Sequence, residues 1–404
     1  MPKRTTKYSV LSRLTAAALM ATTAFSTQAL AAKDVIIGYV DDLSSAAAEA
    51  GTDSLYAVKI ALAEINAKGG IGGRPVKLIA YDSKTDPQLA ATFVTRLAED
   101  DDALAVIGGN QSVPTAAAIP AANEEKIPYF GLTAAIDSFT NPITPYYFRI
   151  GGSNSQDAAA IAAMIASGGF RRIAIINNSL SFGIDGGNAM ERELKAKGVP
   201  IVARETYDIN AADLVPPVIK VRDAKPDIII IYPYPADGGR IVRTMYEMKV
   251  DAFKIVSRQA MFDAFRKISG DTSNGVLINN TADLDRPDVQ KFMQTLIEQH
   301  GKRPPAFYTF AAYDAARIVM EVAAQPEVQA ALAKDDVPAA RVAARNAVER
   351  IGKFVGLQGH TGASYQFSAT RHQGPPDSNW FTWLELRNGG FVDADLAKVK
   401  PPTN

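Results

Sequence analysis

Residues 66–87 read NAKGGIGGRPVKLIAYDSKTDP, and the order of elements around the four glycines decides what kind of fold this is. A phosphate-binding loop runs strand, glycine turn, helix, so that the amino end of the helix meets the anion. Here the amphipathic stretch LYAVKIALAEINAKG (55–69) comes first, with Leu55, Val58, Ala61, Leu62 and Ile65 at helical spacing, and the apolar run VKLIAY (76–81) follows. Gly69 and Gly70 therefore end a helix, and IGGRP (71–75) turns the chain into a strand. The glycines are punctuation, and no phosphate site is expected.

Working outward, short apolar runs alternate with longer amphipathic ones. DVIIGYV (34–40), VKLIAY, ALAVIG (103–108) and IPYFGL (127–132) read as strands with helices between them. The rhythm restarts with RIAIIN (172–177), IVARETY (201–207), DIIIIY (227–232) and FKIVS (253–257). Pro216 and Pro217 belong at a helix start, because proline lacks the donor needed further in. PDVQKFMQTLIEQHG (287–301) and FYTFAAYDAARIVMEVAA (307–324) are helical with no sheet of their own, so they must pack on one already made. The expectation is an α/β protein of two Rossmann-like lobes, each an open parallel sheet covered on both faces, with the chain crossing between them more than once.

The first 31 residues stand apart. Lys3, Arg4, Lys7 and Arg13 precede the apolar run LTAAALMATTAF (14–25), and Ala29-Leu30-Ala31 offers small residues for cleavage after Ala31. This reads as an export signal too short to span a bilayer, which places the mature chain in a periplasm. The sequence has no cysteine, which excludes disulfides, thiol nucleophiles and a lipid-modified cysteine anchor. Of 43 basic and 43 acidic residues the signal takes four basic ones, leaving a mildly acidic mature chain that does not suit nucleic acid. At about 370 residues that chain exceeds the size at which single cores stop growing, so two domains are expected.

Catalytic signatures are absent. There is no GxGxxG after a strand, no GxxxxGK followed by Ser or Thr, and no GxSxG elbow. His300, His360 and His372 have no metal-binding spacing and are expected at the surface. No catalytic residue, metal or cofactor is expected. What remains suits a ligand cleft, because ligands of open parallel sheets sit beyond the carboxyl ends of the strands. The residues there are Asp41 and Asp42, then Asn110, Gln111 and Ser112, then Thr133. In the second sheet they are Asn177, Asn178 and Phe182, then Tyr232 and Tyr234, then Ser257, Arg258 and Gln259. Each also has a bland reading. The acids and Ser112 suit helix caps, the tyrosines with Pro233 and Pro235 a stiff turn, and Arg258 a solvated charge.

Four segments carry a family resemblance: EINAKGGIGGRPVKLIAYDSKTDPQLA (64–90), VIGGNQSVPTAAAIPAANEEKIPYFGLTAA (106–135), RIAIINNSLSFGIDGG (172–187) and GLQGHTGASYQFSATRHQG (356–374). In this order the chain resembles the type I periplasmic solute-binding proteins of ABC transporters, in the branched-chain amino-acid (Leu/Ile/Val-binding) family. The resemblance implies two lobes joined by a three-strand hinge: residues 32–151 with 281–365, and 152–280 with 366–404. It implies a small molecule held in the cleft, an inner-membrane permease as partner, and a monomer. The serine that grips a ligand carboxylate matches Ser112, the position opposite matches Thr133, and a second hydroxyl falls on Ala135 and is missing. The covering aromatics match Phe182, Tyr234 and Tyr308, and Asp42 and Gln111 join the expected site. The acid that pairs an ammonium group falls on Gln259, beside Arg258. Unless Asp42 or Asp185 substitutes, a standard α-amino acid is disfavoured and a carboxylate on an aromatic or aliphatic body is expected. The alternatives are an amide or urea sensor of the same fold and, behind it, a hydrolase.

Overall fold

The computed structural model describes residues 1, 33–45, 47–301 and 306–401. Beyond Met1, the expected export signal lies outside the described residues.

Fourteen strands are described: β1 (Val35–Asp41), β2 (Val76–Asp82), β3 (Ala105–Gly108), β4 (Tyr129–Gly131), β5 (Tyr147–Arg149), β6 (Ile173–Asn178), β7 (Ile201–Tyr207), β8 (Ile228–Tyr232), β9 (Phe253–Val256), β10 (Leu277–Asn280), β11 (Gly352–Phe354), β12 (Tyr365–Phe367), β13 (Thr382–Arg387) and β14 (Gly390–Asp393). The described helices are α1 (Ala48–Ala67), α2 (Pro87–Glu99), α3 (Ser112–Glu124), α4 (Asn154–Gly168), α5 (Ser181–Ala196), α6 (Val215–Asp223), α7 (Pro235–Glu247), α8 (Asp263–Ser269), α9 (Pro287–His300), α10 (Ala306–Ala323), α11 (Pro326–Leu332) and α12 (Val337–Arg350).

The first sheet has the order β2-β1-β3-β4-β5 and is wholly parallel. The second has the order β14-β13-β10-β9-β8-β6-β7, parallel from β10 to β7 and antiparallel where β13 joins β10 and β14 joins β13. Strands β11 and β12 form a separate antiparallel pair. Burial on both faces explains the continuous apolar runs: all five residues of β8 are buried. Helices α9 and α10 pack against the first sheet's side, both touching α1, with α10 lying along it and reaching β3.

The opening motif folds as its residues dictate. Ile71 and Arg74 exchange backbone hydrogen bonds of 2.9 and 3.0 Å around Gly72 and Gly73, whose φ values of 59° and 77° suit glycine in a tight hairpin turn. Asp82, at the end of β2, accepts from Leu43 N (2.8 Å) and Ser44 Oγ (2.5 Å), tying β2 to the loop that enters α1. Asp86 caps α2 by accepting from Gln88 N (2.7 Å) and Leu89 N (2.9 Å), with Pro87 in the first turn. A cap of this kind contributes about 1 kcal/mol. Gly51 is needed because a Cβ there would lie 1.8 Å from the Asp42 carbonyl oxygen, where α1 crosses the end of β1.

Pro216 and Pro217 fall in the first turn of α6, as expected. The histidines differ from expectation. His360 is exposed, but His372 is fully buried: its Nδ1 faces the carbonyls of Thr144 and Tyr147 at 2.9 and 3.0 Å, and its Nε2 lies 3.0 Å from Glu349 Oε1. His300 is half-buried, stacked on Tyr56 with centroids 3.6 Å apart and 3.1 Å from Asp53. A sequence without paired-metal spacing says nothing about burial, and these rings found polar partners inside.

Candidate functional site

The ends of β1, β3 and β4 meet in one hydrogen-bonded network. Asp41 Oδ2 accepts from Asn110 Nδ2 (2.8 Å) and N (3.2 Å), and Asn110 Nδ2 also reaches Ser54 Oγ at 3.1 Å. Asn110 in turn accepts the Thr133 hydroxyl at Oδ1 (2.9 Å) and at its carbonyl (3.2 Å). Burial pushes the Asp41 carboxyl up to about 7 against the pull of these N–H donors. Gln111 caps α3, its carbonyl accepting from Thr115 N (3.2 Å) and Oγ1 (2.6 Å). Ser112 opens that helix and is buried.

Asp42 serves its own loop. Its carboxylate accepts from the N–H groups of Ser44, Ser45 and Ala47 (3.1, 2.7 and 2.7 Å) and the hydroxyls of Ser45 and Thr85 (2.5 and 2.6 Å). Burial works against the charged form, but these donors outweigh it and hold the carboxyl below its usual range. Asp185 accepts from Asn154 Nδ2 (2.8 Å) and Asp137 N (3.4 Å), and burial pushes its carboxyl up.

On the second sheet, Phe182 at the start of α5 stacks on Tyr234 at the start of α7, centroids 5.8 Å apart and planes 6° apart, with Tyr232 edge-on at 6.2 Å. Ala135, where the sequence lacks a second hydroxyl, is buried in the same apolar cluster as Phe182. Burial pushes the Tyr234 phenol up to about 12. Arg258 is buried and paired, with Nη1 2.5 Å from Asp157 Oδ1 on α4 and its guanidinium 5.5 Å from the Phe381 ring centroid and 5.7 Å from that of Phe307. Burial pushes the Asp157 carboxyl up, and the Arg258 charge opposes that rise. Tyr308 is fully buried, its hydroxyl bonded to Asp53 Oδ2 at 3.1 Å and its ring 5.0 Å from that of Phe262.

Several side-chain atoms at the carboxyl ends of β8, β9 and β10 are buried without a protein partner: Tyr232 OH, Ser257 Oγ, Gln259 Oε1, Asn280 Oδ1 and Thr281 Oγ1. Each such atom costs roughly 1–3 kcal/mol if it stays dry. A water or a polar ligand group bonded to them would remove that cost.

The structure therefore brings Asn110 and Thr133 into one network and Phe182 and Tyr234 into one stack, and it ties Tyr308 to the first through Ser54, which donates to the Tyr308 carbonyl at 3.3 Å. The sequence reading missed Asp157, Phe262, Phe307 and Phe381. Asp157 lies in the first turn of α4, 101 residues from Arg258, and nothing in the local sequence points to that partner. Among the described residues no cluster of acids and histidines could hold a metal ion, and no helix is long and apolar enough to cross a membrane. A cavity of about 620 Å³ between α1, α9 and α10, and one of about 810 Å³ beside Asp137 and His372, are lined by none of the nine expected site residues.

The sequence matches the family described as periplasmic binding protein over residues 34–383. It is 24% identical over 310 residues to Leu/Ile/Val-binding protein homolog 7 of Brucella abortus, covering 72% of this chain and 77% of that one. It is 26% identical over 325 residues to homolog 8 of Brucella suis, covering 75% and 78%. In fold it is similar to an extracellular ligand-binding receptor from Rhodopseudomonas palustris, with a TM-score of 0.79 and 21% identity over 90% of this chain and all of the other. It is also similar to the Streptococcus pneumoniae branched-chain amino acid transporter substrate-binding protein LivJ in complex with isoleucine, with a TM-score of 0.76 and 19% identity over 89% and 97%.

Proposed function

The chain belongs to the periplasmic binding protein family, and on that premise we propose that it is the solute-binding component of an ABC transporter. It captures a small organic solute between two lobes in the periplasm and delivers it to an inner-membrane permease, as a monomer and without a catalytic step. The lobes are residues 32–151 with 281–365 and residues 152–280 with 366–404. Contacts made by both lobes exist only in the closed form, so binding shifts the open–closed balance. The observation that carries the reading, beside family membership, is the set of unpartnered polar atoms at the carboxyl ends of β8 to β10, where an open parallel sheet binds its ligand.

Ser112 and Thr133 are the polar anchors of the first lobe, with Gln111 and Asp42 shaping the loops that present them. Phe182 and Tyr234 form the wall of the second lobe, Tyr308 backs the first, and Arg258 and Gln259 select the head group. Asp157 changes the chemistry expected of Arg258, because the guanidinium already has a counter-charge at 2.5 Å. A neutral pair flanked by amide and hydroxyl groups suits a zwitterionic or amide head group better than a bare carboxylate. The amide-type alternative keeps its place for that reason.

The test is a thermal-shift screen of mature protein, residues 32–404, against leucine, other amino acids, aromatic and aliphatic carboxylates, and amides. A solute at about 100 times its Kd adds roughly 2.7 kcal/mol. Stabilisation by amino acids or amides supports the head-group reading. Stabilisation by carboxylates alone overturns that reading and keeps the capture function. Turnover of any of these compounds overturns the function itself.

A further inference from the structure

The turn between β9 and α8 grips the helices beside the first sheet. Phe262 is buried, with its ring 5.0 Å from that of Tyr308 and 5.7 Å from that of Phe307, both on α10. The next residue, Asp263, donates its backbone N–H to Glu49 Oε1 on α1 at 3.0 Å. The same Glu49 oxygen faces the Tyr308 hydroxyl at 3.4 Å, and that hydroxyl also donates to Asp53 at 3.1 Å. One aromatic side chain and one charge-assisted hydrogen bond from the second proposed lobe thus meet a first-lobe surface already organised around Tyr308.

We propose that Glu49 and Phe262 are positioning residues for solute capture, forming a clasp that stabilises the closed arrangement before a solute arrives. This rests on the two-lobed capture reading above. A hydrogen bond to a carboxylate and a buried ring contact each lower the free energy of the closed form only. A solute then has less of the closing cost to meet, and its apparent affinity rises with the fraction of protein already closed.

The absence of cysteine allows clean labelling. Gln88→Cys on α2 and Lys195→Cys on α5, both exposed positions, carry a spin-label pair in full mature protein unfolded and refolded to strip any retained solute. Distances are measured with no solute added. Glu49→Ala is expected to raise the ratio of open to closed distances about tenfold, the effect of losing a hydrogen bond to a charged group. Phe262→Ala should act in the same direction, and Glu49→Gln, which keeps an acceptor oxygen without the charge, should fall between the parent and Glu49→Ala. A merely structural role would lower Tm without moving the distances. If Glu49→Ala and Phe262→Ala remain folded by circular dichroism and give the parent's distance distribution, the clasp is overturned. The same labelled parent exposed to the solute screen reports separately on capture: solute-dependent shortening in a protein whose clasp variants are silent sinks the clasp alone.

Discussion

Arg258 and Asp157 form an ion pair from which water is nearly excluded, with Nη1 2.5 Å from Oδ1 and side-chain exposures of 7% and 4%. Removing one partner strands the other charge, so Arg258→Met or Asp157→Leu alone is expected to destabilise the protein by about 3–5 kcal/mol. The double substitution should cost markedly less than the sum. Urea unfolding of the four proteins measures this, and additive single effects would show that the two charges do not depend on each other.

Asp41 makes stability depend on pH. Its carboxyl is pushed up to about 7 in the folded protein, against about 3.9 in an unfolded chain. Between those values the folded form holds a proton that the unfolded form has lost, so this group's contribution falls as pH rises. Below about 4 both forms are protonated and there is no penalty; above about 7 the full penalty, about 4 kcal/mol, is present. The stability of Asp41→Asn relative to the parent should therefore climb from pH 4 to pH 7 and level off beyond. A flat difference across that window would assign the titration elsewhere.

The Phe182–Tyr234 stack is expected to show a coupling of about 0.5–1.5 kcal/mol in a double-mutant cycle with leucine at each position. Either single substitution should also shrink the thermal shift produced by whichever solute binds. Because the Tyr234 phenol is pushed up to about 12, binding should show no inflection near the ordinary tyrosine range. Calorimetric titration from pH 7 to pH 10 checks that.

Expression of the whole chain in a bacterium with a periplasm is expected to yield a product beginning at Ala32. Intact-mass measurement decides it. A product retaining Lys3, Arg4 and Lys7 would remove the export reading.

The parts of the fold that could be read in advance are those where local pattern and burial agree. Strand β8 is a run of isoleucines because both its faces are covered, and the Gly72–Gly73 turn needs positive φ wherever it occurs. Strands β5 and β10 escaped because they are short: Leu277–Asn280 is four residues ending in two asparagines, a sequence that becomes a strand only by pairing with β9 and β13. The site divides in the same way. Ser112, Thr133, Phe182 and Tyr234 follow strands or open helices, so strand order alone pointed to them. Asp157 and Phe262 matter through partners far away in the chain, and spacing along a sequence carries no record of such partners.

The antiparallel strand β13 has a consequence for how the molecule is made. It pairs Thr382 with Asn280 and Glu385 with Leu277, so a late segment of the chain closes an edge laid down far earlier. Until residues beyond Arg387 have emerged, β10 offers an unpaired edge and the second sheet is unfinished. Contacts of such sequence separation form late, since the intervening loop must be closed first. Completion of this sheet thus waits on residues 382–387, and any machinery that handles the unfolded chain has all the synthesis before them in which to engage it.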